Sequence, residues 1–159
     1  MKKAFICTVG LIVLMVVTSC KKDEKDNDPK PSLSVKIDGV EWTATKFQAT
    51  YTDLNNILQI MVATDNPLDF LHVSTIGYER GTYPLSDFGN SCTYKTYTST
   101  FDFESDGEII ITSSDTVNNI VSGTFRFTGI NSMNISESKT FTEGKFENIK
   151  YTKEHIEVK

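Results

Sequence analysis

Across residues 33–159, Thr, Val, Ile, Phe and Tyr recur with a period of two between short turn signals, and no stretch carries a helical period. A period of two places successive side chains on opposite faces of a pleated strand, so the expected class is all-β. Strands are expected at 33–37, 40–52, 57–64, 70–76, 82–85, 93–104, 108–113, 120–128 and 139–152. Short turns lie between them, among them Asp38-Gly39 and Asp106-Gly107, and Asp-Gly between alternating runs signals a tight hairpin. Parallel neighbours would need crossovers of a dozen residues or more. The expected topology is therefore an antiparallel meander of about 8–10 strands, closing as a β-sandwich or a β-barrel.

Alternation also sketches the buried faces. Val40, Trp42 and Ala44 share one phase while Phe47, Ala49 and Tyr51 hold the other, which requires a bulge or break near Thr45-Lys46. The phase slips again near Glu147-Asn148, where a second bulge is expected. Ile57 and Met61 make both sides of the 57–64 strand apolar, the pattern of a strand covered on two faces. Three Gly-x-aromatic pieces, Gly81-Thr82-Tyr83, Gly123-Thr124-Phe125 and Gly144-Lys145-Phe146, are read as strand starts because their flanks do not repeat.

The first 32 residues follow other rules. Met1-Lys2-Lys3 is a short basic start, and residues 4–17 form an uncharged run too short to span a bilayer as a helix. That run closes in Val17-Thr18-Ser19-Cys20, which resembles the lipobox of bacterial lipoproteins. The resemblance implies a signal peptide over 1–19, cleavage before Cys20, and a Cys20 carrying fatty chains. Two or three such chains anchor a protein durably, at about 0.8 kcal/mol per buried methylene. Residues 20–32 hold no aliphatic or aromatic side chain beyond the cysteine, so they form a charged tether that spaces the domain roughly 20 Å from its anchor. Lys21, Lys22, Asp23 and Glu24 resemble the surface-export signal of some Gram-negative outer-membrane lipoproteins. The expected address is the outer membrane, lipid-anchored and facing outward, and the expected partner is the membrane through that anchor.

Charge and cysteines agree with this address. The net charge of −5 and the pI near 5.0 exclude a nucleic-acid binder, which needs a basic face. Cys7 lies in the signal peptide and Cys20 in the lipobox, so Cys92 is left without a disulfide partner and stability must come from the core. Three further stretches, Asp38-Gly39-Val40-Glu41-Trp42, the segment from Ile110 to Phe125, and the segment from Gly144 to Ile149, make the mature domain resemble an uncharacterised family of small outer-membrane lipoproteins. That resemblance implies an envelope address and a β-fold, with no catalytic residues to transfer.

No nucleophile elbow, zinc motif or phosphate loop is present, so no enzyme activity and no cofactor is expected. His72 should point away from Leu71 and Val73, His155 should be solvated, and Cys92 should behave as a small buried hydrophobe. Asp102, Glu104 and Asp106 space carboxylates as a calcium loop opens, but residue 113, where the closing acid should stand, is Ser113. A hairpin turn with solvated acids is the favoured reading of that stretch. Tyr78, Tyr83, Phe88, Tyr94 and Tyr97 lie in or beside the turn-rich stretch 77–97 and offer rings to a sugar or a partner protein. Tyr78 and Phe88 are the candidate ligand-binding residues, because Tyr97 shares a phase with Phe101 and Phe103. The expected function is a non-enzymatic binding or structural module. Its alternatives are a lipocalin-like carrier of a small apolar ligand and a calcium-dependent or carbohydrate-recognition module.

Overall fold

The computed structural model describes residues 29–66 and 68–155, with the backbone alone at 103–105. The signal run 1–19 with Val17, Thr18 and Ser19, the lipobox Cys20, the export residues Lys21, Lys22, Asp23 and Glu24, and most of the tether lie outside the described residues.

Eleven strands form one sheet: β1 (Ser32–Ile37), β2 (Val40–Thr43), β3 (Lys46–Thr52), β4 (Ile57–Ala63), β5 (Phe70–Ile76), β6 (Gly81–Pro84), β7 (Ser91–Lys95), β8 (Thr100–Asp115), β9 (Ile120–Asn131), β10 (Asn134–Lys150) and β11 (Thr152–Glu154). Their order is β11-β3-β4-β5-β7-β8-β9-β10-β1-β2, with β6 paired to β8. The fold is all-β, as alternation requires. No continuous ladder closes the sheet, but β2 at one end and β3, next to the β11 end, belong to one kinked run of chain. At the kink Ala44 N–H donates to the Leu33 carbonyl on one side (3.0 Å) and Thr45 N–H to the Ala63 carbonyl on the other (2.9 Å). This is the break expected near Thr45-Lys46, and it curls the sheet into a roll.

The order departs from a plain meander where β1 pairs with β10 and β6 with β8, and one pair is not antiparallel: β11 pairs with β3 in parallel. Only Tyr151 separates β10 from β11, so the direction of β11 is inherited from β10. The bulge expected near Glu147-Asn148 is present, with Asn148 at φ 54 and the β9–β10 register slipping between Phe146 and Ile149. A further slip between Phe141 and Gly144 has Glu143 at φ 53.

Four expectations are corrected. Asp38-Gly39 is a two-residue turn with both φ angles positive, but Asp106-Gly107 is no hairpin, because both residues sit inside β8. Glycine serves close approach at 107, where a Cβ would stand 2.6 Å from Leu85 and 2.7 Å from the Arg126 carbonyl. The expected 93–104 strand is instead cut by a turn at Thr96–Ser99, closed by Thr96 N–H on the Ser99 carbonyl (2.8 Å), and Tyr97 stands 80% exposed on it rather than in the core. The outer face of β4 is not covered, since Met61 is exposed. Gly123 and Gly144 are not strand starts. They face Phe146 and Phe125 across the β9–β10 ladder, each glycine leaving room for the other segment's ring.

Inward residues make one core, including Leu33, Val35, Ile60, Val73, Ile109, Ile111, Phe125 and Ile149. Phe127 and Phe141, directly paired in register, stack with centroids 4.0 Å apart and rings 2° from parallel. The expected Val40-Trp42-Ala44 face is buried only at Ala44, with Trp42 half-buried and Val40 exposed at the sheet edge.

Candidate functional site

The register defines two ends of the roll. At one stand Lys46, Ala63, Phe70, Lys95 and Thr100, and at the other Thr52, Ile57, Ile76, Asp115 and Ile120. Tyrosines gather at the second end. Tyr51 is the last inward residue of β3, Tyr78 sits in the loop after β5, Tyr83 lies on β6, and Tyr151 fills the gap between β10 and β11. Tyr51 and Tyr78 meet edge to face at 4.5 Å, and Tyr151 lies 5.5 Å from Tyr78 and 6.3 Å from Tyr51. Such pairings suit the ring quadrupole and fix the rings relative to one another.

Local chemistry fixes the backbone that carries them. Asn56 takes a positive φ of 55, and its carbonyl accepts Gly77 N–H at 2.6 Å, joining the turn after β3 to the loop after β5. Gly77 has φ 91, a region open to glycine, and the Thr75 hydroxyl donates to its carbonyl (2.7 Å). Asn90, 5% exposed, accepts Ile76 N–H on Oδ1 (2.9 Å) and donates through Nδ2 to the Pro84 carbonyl (2.9 Å). The run from Ile76 to Pro84, which carries Tyr78, is thus held at both ends by the Asn90 side chain.

Between these parts lies a cup of about 240 Å3 lined by Tyr51, Asn56, Ile76, Gly77, Tyr78, Glu79 and Tyr83. The Tyr51 hydroxyl donates to Asn56 Oδ1 and the Tyr83 hydroxyl to the Glu79 carbonyl, both at 2.8 Å. Burial pushes the Tyr51 phenol above its ordinary value, and Tyr78, Asp53 and Glu79 push the same way. Burial does the same at Tyr83, helped by Glu79. Tyr151 is 2% exposed and its hydroxyl has no hydrogen-bond partner among the described residues. Burial, then Tyr78, Tyr51 and Asp115, hold its proton on. The Ser114 hydroxyl, next to Asp115, is likewise buried and unpartnered. Lys153 holds its ammonium 5.6 Å from the Tyr78 ring centroid.

The other sequence candidates fall elsewhere. Phe88 is 96% exposed on the loop after β6 and is not part of the cup lining, whereas Tyr78 is half-buried within it. Asp102 and Asp106 lie on an extended strand and not in a cation-wrapping loop, Asp102 accepting from the Thr93 hydroxyl (3.0 Å); the Glu104 side chain lies outside the described residues. Among the described residues no group of three His, Cys, Asp or Glu is arranged to hold a metal ion. His72 faces outward and half-buried opposite Met61 and Thr93, and burial lowers its pKa. His155 is exposed and contacts Asp53. Cys92 is fully buried, which raises its thiol pKa and leaves it inert. Sequence reasoning missed Tyr51, Asn56 and Tyr151 as neighbours of Tyr78. Alternation places Tyr51 inward, but the meeting of β11 with β3 has no local signal.

No curated protein and no solved structure matches the chain. A family model matches residues 29–150, most of the chain and nearly all of the roll, and by that match the protein belongs to the family described as a domain of unknown function, DUF6252.

Proposed function

We propose that this protein is a lipid-anchored outer-membrane protein whose β-domain, facing outward, binds a small ligand in the tyrosine cup without transforming it. The anchor is supported by Val17-Thr18-Ser19-Cys20 and by a tether that cannot pack. The binding role is supported by one observation above others: tyrosine rings, an amide and a carboxylate converge on a hollow whose loops are pinned by buried hydrogen bonds. Ligand sites are concave and largely pre-formed, with a few placed polar groups. A lipocalin-like carrier gains no such support, because Phe125, Phe127, Phe141 and Phe146 fill the interior that it would keep hollow.

Two measurements test the reading. Fatty-acid labelling in cells should mark the wild type and not Cys20→Ala, and equal label in both removes the anchor. A thermal-shift screen of sugars, amines and fatty acids should yield compounds that stabilise the wild type and lose their effect in both Tyr78→Ala and Tyr83→Ala. Hits indifferent to both substitutions would place the site elsewhere.

A further inference from the structure

The cup's own hydrogen bonds bear on the charge of what enters it. The hydroxyl hydrogens of Tyr51 and Tyr83 are engaged inside the protein, so these two oxygens present only lone pairs to the hollow. The Glu79 carboxylate adds acceptors and a negative charge, and Asp53 stands close enough to act on Tyr51 as Glu79 does. Apart from the Asn56 amide and the rotatable Tyr78 hydroxyl, the polar lining side chains offer acceptors only, Ile76 adds an apolar wall, and none of the lining residues is a Lys or Arg. Such a lining repels anions and leaves the donors of a cation unopposed.

The rings supply the second half of the argument. A tyrosine face is negative and attracts an ammonium within about 6 Å of its centroid. Lys153 already stands in this relation to Tyr78, at 5.6 Å, so the cluster holds one ammonium of the chain itself. We infer that the tyrosine cup binds a small organic ammonium ion, with the cation against the rings of Tyr51, Tyr78 and Tyr83 and paired to Glu79. This assignment rests on the cup being the binding site. Lys153 is then an internal competitor for the Tyr78 ring.

The experiment is a choline chloride titration of the purified protein carrying 13C-labelled tyrosine rings, with sodium chloride as the ionic control. Choline should move the Tyr51, Tyr78 and Tyr83 signals saturably at about millimolar concentration, and leave Tyr94 and Tyr97 in place as references. Glu79→Gln should weaken binding about tenfold, whereas Lys153→Ala should tighten it several-fold by removing the competitor. A second arm replaces choline by phosphatidylcholine vesicles, where Glu79-dependent sedimentation of the Cys20→Ala chain assigns a lipid headgroup and its absence a free amine. Equal shifts from methyl glucoside, or an affinity unchanged in Glu79→Gln, overturn the ammonium assignment while the cup survives as a site. If neither choline nor methyl glucoside moves these three rings, the assignment and the site fall together.

Discussion

Each end of the roll hides one asparagine and a group of aromatic rings, but the two are wired differently. At the Lys46 end, Asn131 accepts Met133 N–H (2.9 Å) and donates to Glu137 (2.7 Å), which pins a single hairpin to itself. At the Thr52 end, Asn90 joins two separate segments, reaching 14 residues back to Ile76 and 6 back to Pro84. The polar tips differ in the same way. Trp42 Nε1–H donates to Asp69 Oδ2 (3.2 Å), and the Tyr94 hydroxyl faces the same carboxylate; burial first and then Asp69 raise its pKa. Tyr94 meets Trp42 at 6.2 Å, Phe141 at 5.5 Å and Phe101 at 6.3 Å. The open hollow beside them, about 440 Å3, carries the Lys139–Asp38 ion pair (3.2 Å) on its rim. There the hollow is larger, and Asp38 pairs with Lys139 while Trp42 donates to Asp69 Oδ2, although Asp69 Oδ1 is buried without a hydrogen-bond partner among the described residues. In the cup the tyrosine oxygens and Glu79 keep unused acceptors, so the smaller hollow is the receptive one.

If the Lys46 end is the packed end, its most deeply buried ring should carry the largest loss. Phe141, 0% exposed and stacked on Phe127, should cost about 3–5 kcal/mol as Phe141→Ala in urea unfolding. A loss under about 1 kcal/mol would show that this end is as loosely built as the other. Next in size are the asparagines. Asn90→Ala orphans Ile76 N–H and the Pro84 carbonyl together, at about 1–3 kcal/mol for each group that stays buried, and should also displace the Tyr78 ring signals. Asn131→Ala frees Met133 N–H on an exposed turn where water replaces it, so it should cost less and leave Tyr78 unmoved. Equal effects on Tyr78 would erase the difference in wiring.

A smaller effect of opposite sign is expected at Tyr151. Its hydroxyl is buried without a partner among the described residues, so Tyr151→Phe removes a desolvated group and keeps the ring contacts. Stability should hold or rise, by up to about 1 kcal/mol, when read by thermal melting. A clear loss would mean that a partner for this hydroxyl exists in solution.

The sequence made some of this architecture legible and not the rest, for local reasons. Phase changes in the alternation exposed the kink at Ala44-Thr45 and the bulge at Asn148, because a register slip moves every later side chain to the other face. The turn at Thr96–Ser99 was invisible: Thr-Tyr-Thr-Ser contains no Gly, Pro, Asn or Asp, so the strand phase ran on through Tyr97. Gly107 misled in the opposite direction, since Asp-Gly signals a hairpin whether the glycine is there for φ or for space. Tyr78 was legible as a loop aromatic. Its partners Tyr51 and Tyr151 were not, because they meet through the parallel pairing of β11 with β3, between positions about a hundred residues apart in the chain.

The smallest effects are in the dependence of stability on pH, where carboxylates at both ends, Asp38 and Asp115, act on the acid limb and tyrosines at both ends on the alkaline one. At the Lys46 end, Thr140 N–H chiefly, with burial opposing it and Lys139 and the Thr140 hydroxyl adding to it, holds the Asp38 carboxyl below its ordinary 3.8. The folded state therefore binds fewer protons than the unfolded chain, and this contribution, whole above 3.8, is lost as pH falls below it. At the Thr52 end, Tyr51, Tyr83 and Tyr151 hold their protons above the ordinary 10.0, so the unfolded chain ionises first and stability falls as pH rises past 10. Tyr94 adds to the alkaline limb from the other end, and Tyr94→Phe subtracts it. His72, on the wall between the ends, is lowered by burial from 6.5, so it adds a decline as pH drops below that value. In urea midpoints followed from pH 2 to 11, Asp38→Asn should flatten only the limb below about pH 4, and His72→Gln only the limb below about 6.5. Tyr51→Phe combined with Tyr94→Phe should flatten only the alkaline limb. If Asp38→Asn leaves the acid limb unchanged, the Asp38–Thr140 contact does not hold the hairpin in solution, and the Lys46 end loses a pairing that sets it apart from the cup.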